Sequence, residues 1–457
     1  MSLPSFDMLA NVSVFVAALL ALGPIQANRQ TEVSNLLAKG LRDLGAYQML
    51  ASLTSQVGPR LSGSEGGAKA VTWTEAKMRE IGLKNVRQIP CMVPRWVRGS
   101  TEAASIVGGG KLSICALGGS VGTPGGGLEA EVIEVQSLRE AEELGPKGRG
   151  KIVFFNRPFD ASLPSTFAQY GGAVDQRISG ASAAAKSGAL AVLVRSMTTS
   201  SDDEPHTGAV NYADRVQAIP AAALGIQSAN RLSRALSRGV VKVQLALSCY
   251  TLPDVASASV AGEIPGSQSP GEVIVLGGHL DSWDLGTGAH DDGAGIAQAL
   301  EAARLILSSG LKPKRTIRIV AFHNEENGLR GGTSYAEMAS GAKETHIAAC
   351  ESDSGGFMPR AFSVSKPKLD RVRAWESLLR PFGIERFQEG GGGADIAPLG
   401  PQGTTLFALQ PDVQRYFDCH HSRKDTIDKV NPRELEFGAA AMAALAWLIS
   451  EEGLEPG

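Results

Sequence analysis

The apolar positions along the chain fall into three textures. From Thr31 to Leu53 they recur at helical spacing, with Val33, Leu36, Leu37, Leu41, Leu44 and Leu53 on one stripe, until VGPRLSGSEG at 57–66 breaks the pattern. A second helix is predicted over Ala68 to Ile81. Between about Thr101 and Ser248 glycine-rich loops separate short β-like runs: EAEVIEV (129–135), KIVFF (151–155), LAVLV (190–194) and VKVQLAL (241–247). This stretch reads as an inserted β-rich domain over 101–255, set between a helical part at 28–100 and a larger unit at 256–457. From Glu272 onward strands and helices alternate. EVIVLGG leads to a helix from Asp292 to Ser309, TIRIVAF to one near Thr333, then come HIAACESDS, TTLFALQ and a last helix from Pro432 to Ser450. That alternation predicts an α/β fold with a mainly parallel, doubly wound sheet and helices on both faces.

The first residues differ. Val12 to Leu22 is an apolar run too short to span a bilayer, followed by Gly23, Pro24 and a cleavage position after Ala27. Residues 1–27 therefore read as a secretory signal and the mature protein as secreted or periplasmic, although MSLPSFDML carries no Lys or Arg; a mis-assigned start or a buried helix is the alternative. No later segment is long and apolar enough for a transmembrane helix, so no membrane partner is expected. With 44 basic and 47 acidic residues, a net charge of -3 and no basic run, nucleic acid is excluded as a partner. The 54 glycines and few aromatics suit tight strand-to-helix turns, and 457 residues are ample for a large core. Cys91, Cys115, Cys249, Cys350 and Cys419 stand singly with no C-x-x-C pair. They read as buried small hydrophobes, not as thiolate zinc ligands or a disulfide framework.

In open α/β sheets, reactive groups gather at the carboxyl ends of the strands. Those positions are polar here throughout: His279 and Asp281 after EVIVLGG, Glu325 and Glu326 after TIRIVAF, Asp353 after HIAACES, His420 and His421 beyond TTLFALQ. A catalytic zinc takes imidazole nitrogen or carboxylate oxygen, and two such ions about 3.5–4 Å apart can share a bridging carboxylate. The set divides evenly into His279 and Asp353 for one Zn2+, Glu326 and His421 for the other, and Asp291 between them. Asp281 is then placed to accept the second N–H of the His279 ring. Glu325 is placed to take a proton from the attacking water and return it to the leaving amine. Each residue alone has a plainer reading: a hydrogen-bonded loop histidine, a solvated Glu-Glu edge, or an Asp-Asp pair at a helix N-terminus. Their joint occurrence in HLD, GAHDDGAG, NEEN, ESDSGG and HHSRKDT favours the metal site.

The segments GGHLDSWDLGTGAHDDGAG (277–295), FHNEENGLRGG (322–332), ESDSGG (351–356) and HHSRKDT (420–426) resemble the metal-site motifs of the M28 family of zinc exopeptidases. The likeness continues in VGPRLSGS (57–64), GKIVFFNRP (150–158), KSGALAVLVRS (186–196) and PHTG (205–208), covering nearly all of the mature chain. It implies a protease-associated inserted domain, two zinc ions per chain, hydrolysis of small peptides and especially dipeptides, and a homodimer. It also implies His279, Asp291, Glu326, Asp353 and His421 as ligands and Glu325 as base. Several relatives have Tyr directly before the last ligand His; this chain has His420 there and Tyr416 four residues earlier. His420 is read either as a donor to the developing oxyanion or as a packing neighbour. His206 in PHTG reads as a loop residue, with a place in the substrate cleft as the alternative, and the rest of 101–255 offers no cluster with its own chemistry. An aminopeptidase on longer peptides, a non-catalytic binding protein and an acyl transferase or cyclase on the same fold are the competing readings, and manganese or cobalt could stand in for zinc.

Overall fold

Two eight-stranded sheets organise the chain, which a computed structural model describes over residues 24–455. The apolar run at 12–22 read as a leader lies outside the described residues. The main sheet contains β1 (Lys84–Val97), β2 (Tyr250–Ile264), β3 (Ser269–His279), β4 (Arg315–Phe322), β5 (Thr345–Glu351), β6 (Pro359–Val364), β7 (Arg386–Glu389) and β8 (Thr405–Pro411). Their order across the sheet is β1-β2-β4-β3-β5-β8-β6-β7. The longer helices flanking it are α1 (Pro24–Asp43), α2 (Gly45–Gln56), α3 (Glu65–Ile81), α4 (Ala294–Ser308), α5 (Arg330–Ser340) and α6 (Pro432–Glu452).

Helices cover both faces because the central strands are apolar on both. In β4, Ile317 and Ile319 face a core shared with α1, α2, α3, α4 and α6, while Val320 and Phe322 face Tyr335, Ala336 and Ala339 of α5. The sheet is nevertheless mixed. β4, β3, β5 and β8 run parallel in the centre and β6 pairs parallel with β7, but β1 with β2, β2 with β4 and β6 with β8 are antiparallel. The expectation of a mainly parallel sheet thus holds for the middle and the β6–β7 pair, but not for the β1–β2–β4 side or the β6–β8 junction. β1 carries alternating exposed and buried side chains, so its segment shows none of the continuous apolar character that marks the central strands.

The helix expected from Thr31 to Leu53 is two helices. Leu44 adopts left-handed angles (φ 49°, ψ 42°) between α1 and α2. A side chain at Gly45 would run into the Glu301 carboxylate, and one at Gly40 into that of Glu436, so tertiary packing sets the break where local periodicity runs straight through.

The second sheet is built wholly from residues between 102 and 247. Its strands run in the order Lys111–Leu112, Glu102–Ile106, Lys242–Leu247, Leu128–Val135, Ile152–Phe155, Ala191–Arg195, Ala221–Leu224 and Ile114–Ala116. Helices Leu138–Glu143, Gly180–Lys186 and Ile226–Leu236 belong to the same stretch, which makes it α/β in character and not simply β-rich. Val97 at the end of β1 pairs with Tyr250 at the start of β2, so the whole stretch hangs from one antiparallel pairing. All five cysteines are buried and unpaired, as small hydrophobes are.

Candidate metal centre

Every polar strand-end residue picked from the sequence lies on one edge of the main sheet. His279 is the last residue of β3, Glu325 and Glu326 follow β4, Asp353 follows β5, and His420 and His421 sit in the loop after β8. Asp291 lies in the irregular turn Ala289–Gly293 that leads into α4.

Asp291 is the hinge of the arrangement. Its Oδ1 is 3.1 Å from His279 Nε2, and its Oδ2 is 3.2 Å from His421 Nε2. On the first side Asp353 Oδ1 lies 3.6 Å from His279 Nε2, and on the second Glu326 Oε2 lies 3.1 Å from His421 Nε2. Two donor groups therefore meet at one carboxylate. Asp292 also approaches His279, but its oxygens already accept the backbone N–H of His279 and of Gly295, each at 2.9 Å. This tucked position needs Gly278 and Gly295, because a Cβ at either would strike the Asp292 carboxylate.

Burial makes the cluster costly without cations. It raises the Glu325 carboxyl well above the ordinary range, reinforced by Asp353, Glu326 and Asp291, and it raises Glu326 to about 7 and also lifts Asp353. For Asp291 the same burial is outweighed by His279 and His421, which hold its carboxyl well below the usual value. Burial would lower His421, yet Glu326 and Asp291 lift it to about 10. Asp291 Oδ2 is buried and makes no hydrogen bond despite the nearby imidazole. Imidazoles and carboxylates that converge out of water, with Asp291 Oδ2 left without a hydrogen bond, fit divalent cations of the kind bound by His and Asp/Glu.

Two expectations change. The His279 Nδ1–H faces the backbone carbonyl of Asp281 at 2.9 Å, whereas the Asp281 carboxylate is 3.9 Å away. That carboxylate instead accepts the N–H of Asn324 at 2.7 Å and of Glu325 at 3.0 Å, because the β4 loop presents both donors to it. Asp281 thus fixes the backbone of the candidate base. The stretch 101–255 is also not silent: Phe167, Tyr170 and Arg177 line one wall of a cleft of about 520 Å³ whose other wall holds Glu325, Glu326, Asp353, Tyr416 and His420. These side chains sit on short helices that no apolar pattern distinguished.

His420 stacks on His421 with ring centroids 3.5 Å apart, has its Nε2 3.8 Å from Asp291, and keeps a buried Nδ1 without a partner. Burial, helped by the charge of His421, holds it neutral. His206 is a loop residue outside the cleft lining, its Nδ1 2.6 Å from the His420 carbonyl oxygen. His421 itself has φ 60°, a left-handed conformation rare outside glycine and held here by the Thr207 N–H donating to its carbonyl at 2.8 Å.

Sequence reasoning missed three supports. Asp425, in HHSRKDT, accepts the N–H of His290 at 2.6 Å and of Asp291 at 3.1 Å, so it orients the central carboxylate. Arg60, in VGPRLSGS, is fully buried and donates to the carbonyls of Leu280, Thr287 and Gly288, tying down the two loops that carry His279 and Asp291. Ser62 accepts from Asn324 Nδ2 at 2.8 Å and donates to Asn327, bracing the Glu325 loop. The quoted motifs contained Asp425 and Arg60, but only their partners reveal what they do.

Comparison with known proteins places this edge in a family. The model for Peptidase family M28 matches residues 259–446, and Carboxypeptidase Q of Bos taurus is 37% identical over 423 residues, covering 92% of this chain and 88% of that protein. The chain belongs to peptidase family M28. As an M28 peptidase it is a metallo-exopeptidase, and solved structures agree with the fold. A Peptidase M28 precursor from Shewanella amazonensis SB2B superposes with a TM-score of 0.90 at 35% identity, over 94% of this chain and 98% of that one. An aminopeptidase from Aneurinibacillus sp. strain AM-1 shares the fold at a TM-score of 0.64 and 23% identity, over 93% of this chain and 98% of that one.

Proposed function

We propose that this M28 peptidase is a two-zinc exopeptidase acting on dipeptides and short peptides, with Glu325 as the proton carrier. The observation that carries the reading is the Asp291 carboxylate, which meets His279 through one oxygen and His421 through the other, with Asp353 beside His279 and Glu326 beside His421. These five side chains would hold the metal. Zinc, when bound, supplies Lewis acidity that lowers the pKa of water and polarises a carbonyl.

Glu325 lies in the cleft beside the five, its backbone pinned by Asp281, and takes a proton from the attacking water and delivers it to the departing amine. His420, neutral and lining the same cleft, offers a ring N–H to the oxygen that gains charge at the scissile carbonyl. The residues at 101–255 form an inserted domain that closes one side of the cleft. Export by a leader over 1–27 fits a peptidase whose substrates lie outside the cytoplasm, and no helix among the described residues is long and apolar enough to cross a membrane.

Metal content and dipeptide hydrolysis, measured on the purified protein before and after chelation and zinc add-back, test the reading. About two zinc ions per chain, with activity that falls and returns, are expected. Glu325→Gln should keep the zinc and lose about 100-fold or more in kcat. Near-normal turnover in that variant would remove Glu325 from its role. Zinc-free protein with full activity would overturn the metal assignment.

A further inference from the structure

The loop that carries Glu325 and Glu326 also contains the one Asn-Gly pair of the chain, Asn327-Gly328. Before glycine, an asparagine side chain is open to attack by the next backbone nitrogen: the ring that closes has five members, and glycine has no Cβ to block the approach. Packing requires glycine at 328, because a Cβ there would run into the side-chain amide of Asn324. The reactive pair is therefore built into the loop of the candidate base.

Both partners of that reaction are available. Gly328 is exposed, and its N–H makes only a long hydrogen bond, 3.4 Å to the Glu325 carbonyl. Asn327 is half-buried in the cleft wall, and its Oδ1 accepts from the Ser62 hydroxyl at 2.7 Å and from Asn324 Nδ2. These two donors are fixed in place. Ser62 is buried and itself accepts from Asn324 Nδ2 at 2.8 Å, while the Asn324 N–H is held by the Asp281 carboxylate at 2.7 Å. Donors fixed on a carbonyl oxygen stabilise the charge it gains when its carbon is attacked, as those of an oxyanion hole do.

We propose that Asn327 is a site of spontaneous deamidation and, resting on the peptidase reading above, that its conversion switches the enzyme off. The Gly328 nitrogen bonds to Asn327 Cγ while its proton passes to water. The bond from Cγ to Nδ2 breaks, and the departing nitrogen takes a proton from water and leaves as ammonia. One water molecule then opens the succinimide. Attack at Cγ gives aspartate, and attack at the backbone carbonyl carbon of residue 327 gives isoaspartate, whose main chain runs through Cβ and Cγ.

Either product disturbs the residues just before it. Aspartate adds an anion to a cleft wall that already holds Glu325, Glu326 and Asp353. Isoaspartate adds a methylene to the main chain directly after Glu326, and this displaces the Glu325 backbone from the Asp281 carboxylate that pins it.

The test ages zinc-loaded full-length protein in mildly alkaline buffer and follows dipeptide hydrolysis and peptide masses side by side. Trypsin releases residues 319–330 as one peptide, in which Asn324 is the internal control. The mass gain of an NH-to-O exchange is expected at 327 and not at 324, with isoaspartate in the product. Activity should fall in step with the unmodified fraction, converted protein being about 10-fold or more less active, as a displaced catalytic group implies. Asn327→Gln, whose longer side chain would have to close a six-membered ring, should keep its own starting activity over the same period. Ser62→Ala removes one donor and should slow the conversion by about 3-fold or more. No conversion at 327 by the time the free peptide 319–330 is fully converted would overturn the proposal, as would conversion with undiminished turnover. Equal loss of activity in wild type and Asn327→Gln would place the inactivation elsewhere and overturn it as well. Conversion in Ser62→Ala as fast as in wild type, or faster, would show that the two donors lock the amide and do not activate it, against the proposal. Should that variant not fold, the Asn327→Gln and free-peptide comparisons still decide. Fresh wild type that cleaves no dipeptide would sink the peptidase reading, while the mass change at 327 would still decide the modification.

Discussion

At the scale of single residues, the side chains around the five proposed metal-binding residues decide how well those residues are aimed. Asp425 spends both carboxylate oxygens on the backbone N–H groups of His290 and Asp291, and burial together with the Asp291 charge raises its own carboxyl to about 7. Asp425→Asn replaces one acceptor by an amide that faces a donor. Zinc affinity, read by competition with a chelator, should fall by about 10- to 100-fold, the range for residues that orient ligands. A change of less than about 3-fold would mean that Arg60 and the strand ends hold Asp291 in place without it. Asp281→Ala should behave differently, since its carboxylate touches Asn324 and Glu325 and only its carbonyl touches His279. Zinc content should stay near normal while kcat falls. Asp281 and Asp425 were both visible as residues in acidic motifs, but the sequence could not separate a carboxylate that points at a metal from one that points at a backbone amide.

At the scale of elements, the contact between α1, α2, α4 and α6 contains a buried acidic pair. Glu301 of α4 is ion-paired with Arg304, and Glu436 of α6 accepts the Ala46 N–H at 3.1 Å while its Oε1 has no partner. Burial, with Glu301 next to it, raises the Glu436 carboxyl to about 9. A carboxyl whose pKa is higher folded than unfolded favours the fold fully only below its ordinary value, and that contribution drains away as pH climbs toward 9. Glu436→Gln keeps an acceptor for Ala46 and cannot ionise. Melting temperatures of variant and wild type should therefore diverge in favour of the variant between pH 5 and pH 9, by the equivalent of about 1 kcal/mol or more at the upper end. Equal divergence at both pH values would show that Glu436 is ionised throughout. The same contact explains the split of the first predicted helix, since the glycines at 40 and 45 make way for these two carboxyl groups.

At the scale of the whole molecule, the unit at 102–247 is latched onto the loop that carries His420 and His421. The Thr207 N–H donates to the His421 carbonyl, Thr198 donates to the Phe417 carbonyl at 2.7 Å, and Arg423 pairs with Glu204. Metal bound on the sheet edge should be felt on both sides of that latch. Chelation should lower the melting temperature by about 5 °C or more at zinc levels far above Kd. It should also speed amide exchange in 205–208 together with 416–426, with zinc restoring both. Faster exchange confined to 416–426 would show that the two units are not coupled through the latch.

The sequence by itself determined the central strands, the flanking helices after Glu272 and the identity of the polar residues at each strand's end. Continuous apolar runs and helical spacing report burial directly, and strand ends in such sheets are where polar groups can stand exposed to a ligand. Only the tertiary structure decided the antiparallel edge from β1 and β2, because the alternating side chains of β1 carry no signal of its distant partner. It alone assigned Asp281 and Asp425 to backbone amides, broke the first helix at Leu44, and brought Arg177 across to the cleft. In each of these the deciding contact joins residues far apart in the chain, and a sequence pattern records the chemistry of a side chain but not what it meets.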